Sequence, residues 1–360
     1  MSCLEIQADV KRFVPVSVKQ LAEEGAPLPE KFLKKGSECP TTAHTDFCKE
    51  IPVISFEGLD TASGRQRILS EVGRACAEWG IFQIVDHGVP ENLMKRMMDN
   101  GLAFFNLPLE EKIKYASPPG SFPVGYLSAS GIHRNDNDTL GWREVMAQVS
   151  LPKDIREIHY SSWPQNPADY KKTLVEYSDT IDQLVTCMLG LISESLGLPS
   201  DYIKNVSGGE KMGQKIAFNY YPHCPQSDLA LGLKSHTDHG TITVIQQDQV
   251  GGLQVYKEDR DKWGTVEPIP GALVINLGDQ IQILSNGRYC SVEHQAVVNS
   301  SQSRVSIATF AKPELMSRMG PAPELLSETS PARYRNITFK DYLPICFAMK
   351  TKKNYDALII

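Results

Sequence analysis

Residues 236–238 read His236-Thr237-Asp238, and an apolar segment at residues 242–246 follows them closely. In an extended strand alternate residues point to the same face, so His236 and Asp238 would project together while Thr237 points away. A lone His-x-Asp pair also arises by chance, most often on a surface turn. This pair is accompanied further along the chain by a second histidine, His294, and by the pair Arg304-x-Ser306. The combination predicts strands that converge on one chemical site.

The three side chains His236, Asp238 and His294 have the composition of a metal site. Two imidazoles and one carboxylate on one face of an octahedron are the ligands of non-haem iron(II) oxygenases, which leave the remaining positions open. We therefore predict these residues as metal ligands. A zinc hydrolase could use the same donors, but that alternative gives no role to Arg304 and Ser306.

Composition and charge limit the class of protein. The chain has 360 residues, of which 41% are hydrophobic and 22% charged, and its formal net charge is −6. No cluster of Lys and Arg indicates nucleic-acid binding. The cysteines are scattered without a Cys-x-x-Cys pair, as in reduced cytosolic proteins, and the longest apolar tract, near 184–196, is too short to cross a bilayer. We expect a cytoplasmic protein with no membrane insertion and no nucleic-acid partner, and leave its oligomeric state open.

The fold class expected from periodicity is α+β, mainly β. After Gly213, short strand-like runs alternate with Gly/Pro/Asn turn signals, which is typical of a sandwich or jelly roll. We predict three parts in one compact unit: a mostly helical region at 1–212 packed on the core, a jelly-roll core at 213–312, and a helical tail at 313–360. The predicted helices are 64–79, 90–105, 167–196 and 339–349; the predicted strands are 51–56, 81–85, 142–151, 215–221, 235–238, 242–246, 253–256, 272–277, 295–299 and 304–310.

Motifs in a fixed order then carry a family resemblance: Asn219-Tyr220-Tyr221-Pro222, His236-Thr237-Asp238, Asn276-Leu277-Gly278-Asp279, His294 and Arg304-Val305-Ser306. Together they resemble the plant iron(II)- and 2-oxoglutarate-dependent dioxygenases. The segments 247–254 and 294–299 are most similar to the flavonoid branch, flavone synthase I and flavanone 3-hydroxylase. The resemblance implies a double-stranded β-helix core, Fe(II), 2-oxoglutarate and O2 as co-substrates, and ascorbate as a supporting reductant.

Residues expected to bind 2-oxoglutarate follow from charge and from the resemblance. The far carboxylate of this co-substrate requires a fixed cation, and the Arg304 guanidinium offers a two-pronged fork. Ser306 lies two residues on, and therefore on the same strand face. The resemblance adds Asn219 and Tyr221, although Tyr221-Pro222 could also simply end a strand.

A second group of residues is expected to line the substrate pocket. Strand alternation keeps Phe310 on the Arg304/Ser306 face, where the resemblance implies stacking on an aromatic substrate; a core phenylalanine is the alternative. Val145 and Ala147 stand where relatives carry larger side chains, and His239 replaces the proline common in flavanone 3-hydroxylases. The Gly/Pro-rich loop 118–130 holds Phe122 and Tyr126, and it could line the pocket or lie on the surface.

The resemblance implies oxidation of a small aromatic substrate with release of succinate and CO2. A flavanone is the first candidate, by C2–C3 desaturation to a flavone or by 2- or 3-hydroxylation. The same chemistry on salicylate, another phenolic or a terpenoid is the second, and a catalytically inactive jelly-roll binding protein is the third. Hydroxylation and desaturation use the same ligands and differ in how the substrate is placed, so the sequence does not separate them.

Overall fold

The computed structural model of the chain describes residues 17–25, 27–34, 43–116, 124–128, 139–348 and 353–360. The helices precede and follow a β-rich centre, as the periodicity predicts. Within the described residues they are α1 (Val18–Glu23), α2 (Ala62–Glu78), α3 (Glu91–Phe105), α4 (Leu109–Lys112), α5 (Lys153–His159), α6 (Tyr170–Ser195), α7 (Tyr202–Val206), α8 (Asp279–Leu284) and α9 (Phe339–Ala348).

The described strands form two facing sheets and one small two-stranded sheet. The described strands are β1 (Val53–Ser55), β2 (Ile81–Val85), β3 (Gly125–Ser128), β4 (Glu144–Leu151), β5 (Gly213–Tyr221), β6 (Leu231–His236), β7 (Ile242–Gln247), β8 (Leu253–Lys257), β9 (Lys262–Thr265), β10 (Leu273–Leu277), β11 (His294–Val297), β12 (Arg304–Lys312), β13 (Arg318–Met319) and β14 (Ile337–Thr338). The large sheet has the order β1-β2-β10-β7-β12-β5-β4-β3, and the small sheet the order β6-β11-β8-β9. This arrangement confirms the jelly-roll core.

The two faces of the large sheet have different surroundings. The outer face carries Ile216, Phe218 and Ile307, which are buried in one cluster with the apolar faces of α2, α3 and α6. The inner face carries the alternate residues of the same strands and looks toward the small sheet. Because side chains alternate along a strand, each strand contributes one set of residues to the helix-packed core and another set to the space between the sheets.

The chain before residue 213 contributes strands as well as helices. Strands β1 to β4 are hydrogen-bonded into the large sheet, and β4 pairs with β5 along most of its length. The sheet therefore runs across the predicted boundary at 212/213, and the three-part division remains a prediction about the sequence. Among the described helices, none combines the length and hydropathy that a membrane crossing requires.

Most predicted elements occur within a few residues of their expected bounds. One difference matters for chemistry: the strand predicted at 235–238 ends at His236 in β6, so Asp238 lies beyond it. The segment predicted as a loop at 118–130 contains strand β3, while residues 117–123 and 129–138 fall outside the described structure. Short helices such as α5 and α8 were not predicted, because they are only a turn or two long and have little periodicity.

Candidate active site

Register between two neighbouring strands brings the predicted histidines together. His236 ends β6 and His294 begins β11, and the two residues are direct antiparallel partners. Their ring centroids are 4.3 Å apart. Asp238 reaches the same point from the turn after β6, with carboxylate oxygens 3.7 Å from Nε2 of each histidine. One potential ligand atom from each of the three residues lies within 4.8 Å of the others. The predicted metal site is therefore assembled in the fold.

Hydrogen bonds orient each ligand toward the shared centre. The Nδ1 of His236 lies 2.8 Å from the carbonyl of Lys234, and the Nδ1 of His294 lies 3.1 Å from the carbonyl of Val292. A carbonyl only accepts, so each Nδ1 carries the proton and each Nε2 keeps its lone pair for a metal. Such partners around metal ligands fix ring orientation and tautomer.

Asp238 is positioned by a close approach of backbone segments. Its carbonyl accepts a hydrogen bond of 2.7 Å from the Asp279 amide. A Cβ on Gly278 would lie 2.2 Å from the carbonyl oxygen of Gly240, so only glycine permits this contact. Thr243 on β7 donates its hydroxyl to the Asp238 carboxylate over 2.7 Å. Asp238 is thus held at its backbone carbonyl by Asp279 and at its carboxylate by Thr243 of the large sheet.

The electrostatics of the triad favour metal binding. Burial lowers the pKa of His236 to about 4, with the charge of His294 acting in the same direction. Burial would raise the pKa of Asp238, but the two histidines and the Thr243 hydroxyl bring it below its usual value. A neutral His236 imidazole and an ionised Asp238 carboxylate are in the protonation states that a metal ion requires of its ligands.

Two hydroxyl groups hold the buried carboxylate of Asp279, the residue whose backbone amide binds Asp238. Its carboxylate accepts from Ser291 and from Tyr342 of α9, both over 2.8 Å. Burial raises the pKa of Asp279 to about 7. The C-terminal helix α9 is therefore hydrogen-bonded to the same backbone turn that supports Asp238.

Arg304, Ser306, Asn219 and Tyr221 share one face of two paired strands. In the β5/β12 register Arg304 is opposite Tyr221 and Ser306 is opposite Asn219. The Arg304 guanidinium is buried, lies 5.2 Å from the centroid of the Tyr221 ring, and donates to Gln247 over 2.9 Å. Gly252 beside it has a φ of +114°, and a Cβ there would lie 2.8 Å from the Val297 carbonyl oxygen, so this close backbone approach requires glycine.

The donor set fits iron(II) and 2-oxoglutarate. The Nε of Arg304 is buried and has no hydrogen-bond partner among the described residues. A buried, unsatisfied guanidinium nitrogen is costly, and a carboxylate is the group that its fork recognises. Asn219 and Tyr221 remain predicted contacts of the co-substrate; the Asn219 amide oxygen accepts from Arg143 over 3.1 Å.

Three of the residues predicted for the substrate pocket lie together. Val145, Ala147 and Phe310 pack in one small apolar cluster on the inner face, together with Leu127 and Ala217. That Phe310 or the small residues touch substrate stays a prediction. Phe122 lies outside the described residues.

The prediction for Tyr126 is wrong. Its ring is buried on the outer face among the helices, with its centroid 6.0 Å from that of Phe104. The loop assignment hid the alternation: Tyr126 pairs with Met146, whereas the next residue, Leu127, pairs with Val145 and faces inward. Leu127 therefore takes the place that Tyr126 was expected to hold.

The His239 ring does not join the metal ligands His236 and His294, and it faces the C-terminal helix α9. Its ring is nearly parallel to that of Phe339, the first residue of α9, with centroids 6.2 Å apart. Burial lowers the pKa of His239, and the charges of Lys312 and Lys215 lower it further. The imidazole is thus within electrostatic reach of two lysines that we did not single out from the sequence.

Three cations on the inner face were missed by the sequence reasoning. Lys215 lies on β5, Lys312 on β12, and Arg143 directly before β4. The signal was present, because Lys215 lies four residues before Asn219 and Lys312 two residues after Phe310, both on the inward alternation. Asn276 on β10 belongs to the quoted Asn276–Asp279 motif, but no role in the site was predicted for it. It is the register partner of Thr243, and the side-chain amide of Asn276 is fully buried and makes no hydrogen bond to any described residue.

Comparison with known proteins agrees with this geometry. Residues 212–313 match the 2OG-Fe(II) oxygenase superfamily, and residues 51–166 match the N-terminal region described as non-haem dioxygenase in morphine synthesis. Naringenin,2-oxoglutarate 3-dioxygenase of Matthiola incana is 44% identical over 300 residues, covering 83% of this chain and 82% of the relative. Flavone synthase of Petroselinum crispum is 42% identical over 301 residues, covering 83% and 80%.

A solved structure extends the similarity to almost the whole chain. The crystal structure of JOX2 in complex with 2OG, Fe and JA has a TM-score of 0.86 and 35% identity, covering 96% of this chain and 98% of that one. With the His236/Asp238/His294 triad in place, these similarities are sufficient to assign the family. The chain belongs to the 2OG-Fe(II) oxygenase superfamily, as an iron- and 2-oxoglutarate-dependent oxidoreductase similar to plant flavonoid dioxygenases.

Proposed function

We propose that this enzyme oxidises a flavanone, by C2–C3 desaturation to a flavone or by 2- or 3-hydroxylation, with release of succinate and CO2. The observation that carries the proposal is an apolar cluster on the inner face: Leu127, Val145, Ala147, Ala217 and Phe310. Phe310 is the register partner of Thr243, which donates to the metal ligand Asp238. An aromatic substrate fits such a surface, and the flavonoid-oxidising relatives support the choice.

The protein residues supply orientation and a dry environment. His236, Asp238 and His294 would hold the iron; Arg304 and Ser306 would hold the far carboxylate of 2-oxoglutarate, with Asn219 and Tyr221 beside it. When bound, iron(II) with 2-oxoglutarate and O2 supplies C–H oxidation coupled to decarboxylation, chemistry that belongs to the cofactor. A protein base or nucleophile is not required for this reaction class.

Substrate placement would decide the product. Val145 and Ala147 are small side chains packed in the same cluster as Phe310, so a ring that stacks on Phe310 would lie flat against the sheet. Hydroxylation and desaturation differ in which hydrogens face the metal, a matter of small displacements. Apolar walls around the reacting carbon also keep water from competing. We further propose a cytoplasmic location, consistent with the free thiols at the described cysteines.

The decisive experiment is anaerobic loading with Fe(II) and 2-oxoglutarate, addition of naringenin, and exposure to air. We expect succinate in step with a product that has gained one oxygen or lost two hydrogens. A parallel panel of salicylate, other phenolics and terpenoids tests the same chemistry on other substrates. If no flavanone gives either succinate or an oxidised product, the flavanone proposal is overturned. An Asp238→Ala variant with an unchanged biological effect would favour a non-catalytic binding protein.

A further inference from the structure

Gln247 lies beside both residues predicted to hold the far carboxylate of 2-oxoglutarate. It is the last residue of β7 and the direct register partner of Ser306 on β12. Ser306 in turn pairs with Asn219 on β5. Directly opposed side chains on one face of antiparallel strands have Cβ atoms about 5 Å apart, and Arg304 occupies the adjacent position on the same face of β12. Gln247 is therefore a neighbour of the predicted co-substrate contacts, on a strand from which no such contact was predicted.

The side-chain amide of Gln247 has its oxygen engaged and its nitrogen unpaired. The Oε1 atom accepts a hydrogen bond of 2.9 Å from Nη2 of Arg304. A guanidinium only donates, so the amide atom that faces it must be the oxygen, and this fixes the orientation of the amide. The Nε2 atom of Gln247 is buried and has no hydrogen-bond partner among the residues that the structure describes. The same is true of the Nε atom of Arg304.

Two adjacent side chains thus present buried donors without an acceptor. A buried donor that lacks a partner carries the full cost of its desolvation. Both donors gain a partner if an anion with two oxygens lies against them, and a carboxylate is the group whose shape matches a guanidinium fork. A methionine at position 247 would fill the same space on the strand without leaving a donor unpaired.

The acidic residue nearest in sequence binds backbone amides instead of these donors. Burial raises the pKa of Asp248, and the charge of Arg304 acts against this rise. The Asp248 carboxylate accepts from the backbone amides of Val305, over 2.5 Å, and of Val250, over 3.1 Å. The Asp248 amide also donates to the Val305 carbonyl over 3.1 Å. These bonds tie the end of β7 to the start of β12, so the backbone holds Gln247 and Arg304 side by side.

We propose that Gln247 is a further binding and positioning residue for 2-oxoglutarate. Its amide oxygen fixes the Arg304 guanidinium, and its amide nitrogen donates a hydrogen bond to the far carboxylate that the guanidinium holds. The inference rests on the proposed placement of that carboxylate at Arg304 and Ser306, and adds a neutral donor to it. A neutral amide suits this role, because a glutamate would pair with Arg304 and present a second negative charge to the co-substrate.

Matched variants and matched ligands test the proposal. Q247M keeps the length of the side chain but removes both polar atoms, and Q247E replaces the donor with a negative oxygen. The control is Q246M, because Gln246 is the neighbouring residue on the opposite face of β7 and donates to the Met94 carbonyl over 2.8 Å. The ligands are 2-oxoglutarate and 2-oxopentanoate, which has the same 2-oxo acid end and chain length but no far carboxylate. Calorimetry on enzyme loaded with Mn(II) measures each affinity without turnover.

We expect Q247M to raise the dissociation constant of 2-oxoglutarate about 10- to 100-fold, the range for losing a hydrogen bond to a charged group. Q247E should raise it further, because its charge repels the carboxylate. The affinity of Q247M for 2-oxopentanoate should change less than three-fold, and Q246M should bind both ligands like the wild type. A 2-oxoglutarate affinity of Q247M within three-fold of wild type, or an equal loss for both ligands, overturns the inference.

Two further measurements separate this inference from the proposals on which it rests. The Mn(II) affinity of each variant shows whether the metal site is intact; if Q247M does not fold, Q247E decides, because wild-type affinity for 2-oxoglutarate in Q247E contradicts a donor role. R304M tests the placement of the co-substrate, and unchanged 2-oxoglutarate affinity would reject that placement together with the role of Gln247. A loss in R304M with unchanged affinity in Q247M rejects the role of Gln247 alone. Flavanones do not enter these titrations, so failure of flavanone oxidation would reject the proposed substrate and leave this result standing.

Discussion

Replacing Thr243 with valine should weaken metal binding without unfolding the protein. The Thr243 hydroxyl donates to the Asp238 carboxylate over 2.7 Å, and both residues are nearly inaccessible to water. Valine has the same shape but no donor, so one oxygen of the ligand carboxylate loses its partner.

The size of the effect follows from the character of this hydrogen bond. A bond to a charged group contributes about 1.5 to 3 kcal/mol, and loss of a partner behind a metal ligand typically costs about 10- to 100-fold in affinity. At about 1.4 kcal/mol for each factor of ten, the two estimates agree. We therefore expect the dissociation constant for Mn(II) or Fe(II) to rise about 10- to 100-fold.

Anaerobic calorimetric titration of metal-free enzyme measures this change directly. Thr243→Ser keeps the hydroxyl and should recover most of the affinity. Thr180→Val is the matched control, because Thr180 donates to the Glu176 carbonyl on the exposed side of α6, far from the metal ligands in the sequence. Metal affinity of Thr243→Val within three-fold of wild type, or an equal loss in the control, would refute the reasoning.

Three further predictions concern other parts of the molecule. Ala147→Leu places a larger side chain in the inner-face cluster and should raise KM for a flavanone at least ten-fold while metal affinity stays the same; unchanged KM would show that the substrate lies elsewhere. Tyr342→Phe removes the 2.8 Å hydrogen bond to buried Asp279 and should lower the free energy of unfolding in urea by about 1 to 3 kcal/mol. Lys112→Met leaves fully buried Glu144 without its 2.8 Å ion pair and should cost about 3 to 5 kcal/mol in the same assay; a loss below 1 kcal/mol would contradict it.

The metal site could be predicted because it depends on local alternation and a distinctive set of residue types. Two histidines and an aspartate with an arginine-serine pair downstream form a rare combination, and their convergence needs only that the histidine strands pair. The conformation of the turn that places Asp238 beyond the end of β6 could not be predicted from the sequence. It depends on a close approach of Gly278 to Gly240, which is distant along the chain.

The substrate side was harder to predict, because the direction of a side chain depends on the register of its strand. Tyr126 was predicted in a loop that could line the pocket or lie on the surface, but that segment contains strand β3, whose register places the Tyr126 ring on the helix-packed face. Lys215 and Lys312 were overlooked because isolated lysines in a strand are ordinarily solvated. Only the pairing of β5 with β12 shows that both lysines lie beside the Phe310 ring.

The division of the large sheet into a helix-packed face and an inward face has a consequence for how such enzymes diversify. On β12, Val305 and Ile307 belong to the helix-packed core, whereas Ala308 and Phe310 face the other sheet. Substitutions at alternate positions therefore act on separate properties, folding stability for one set and ligand choice for the other. Combinatorial libraries restricted to the inward positions should retain a high proportion of folded members, and a lineage could exchange substrates repeatedly while its scaffold stayed under steady purifying selection.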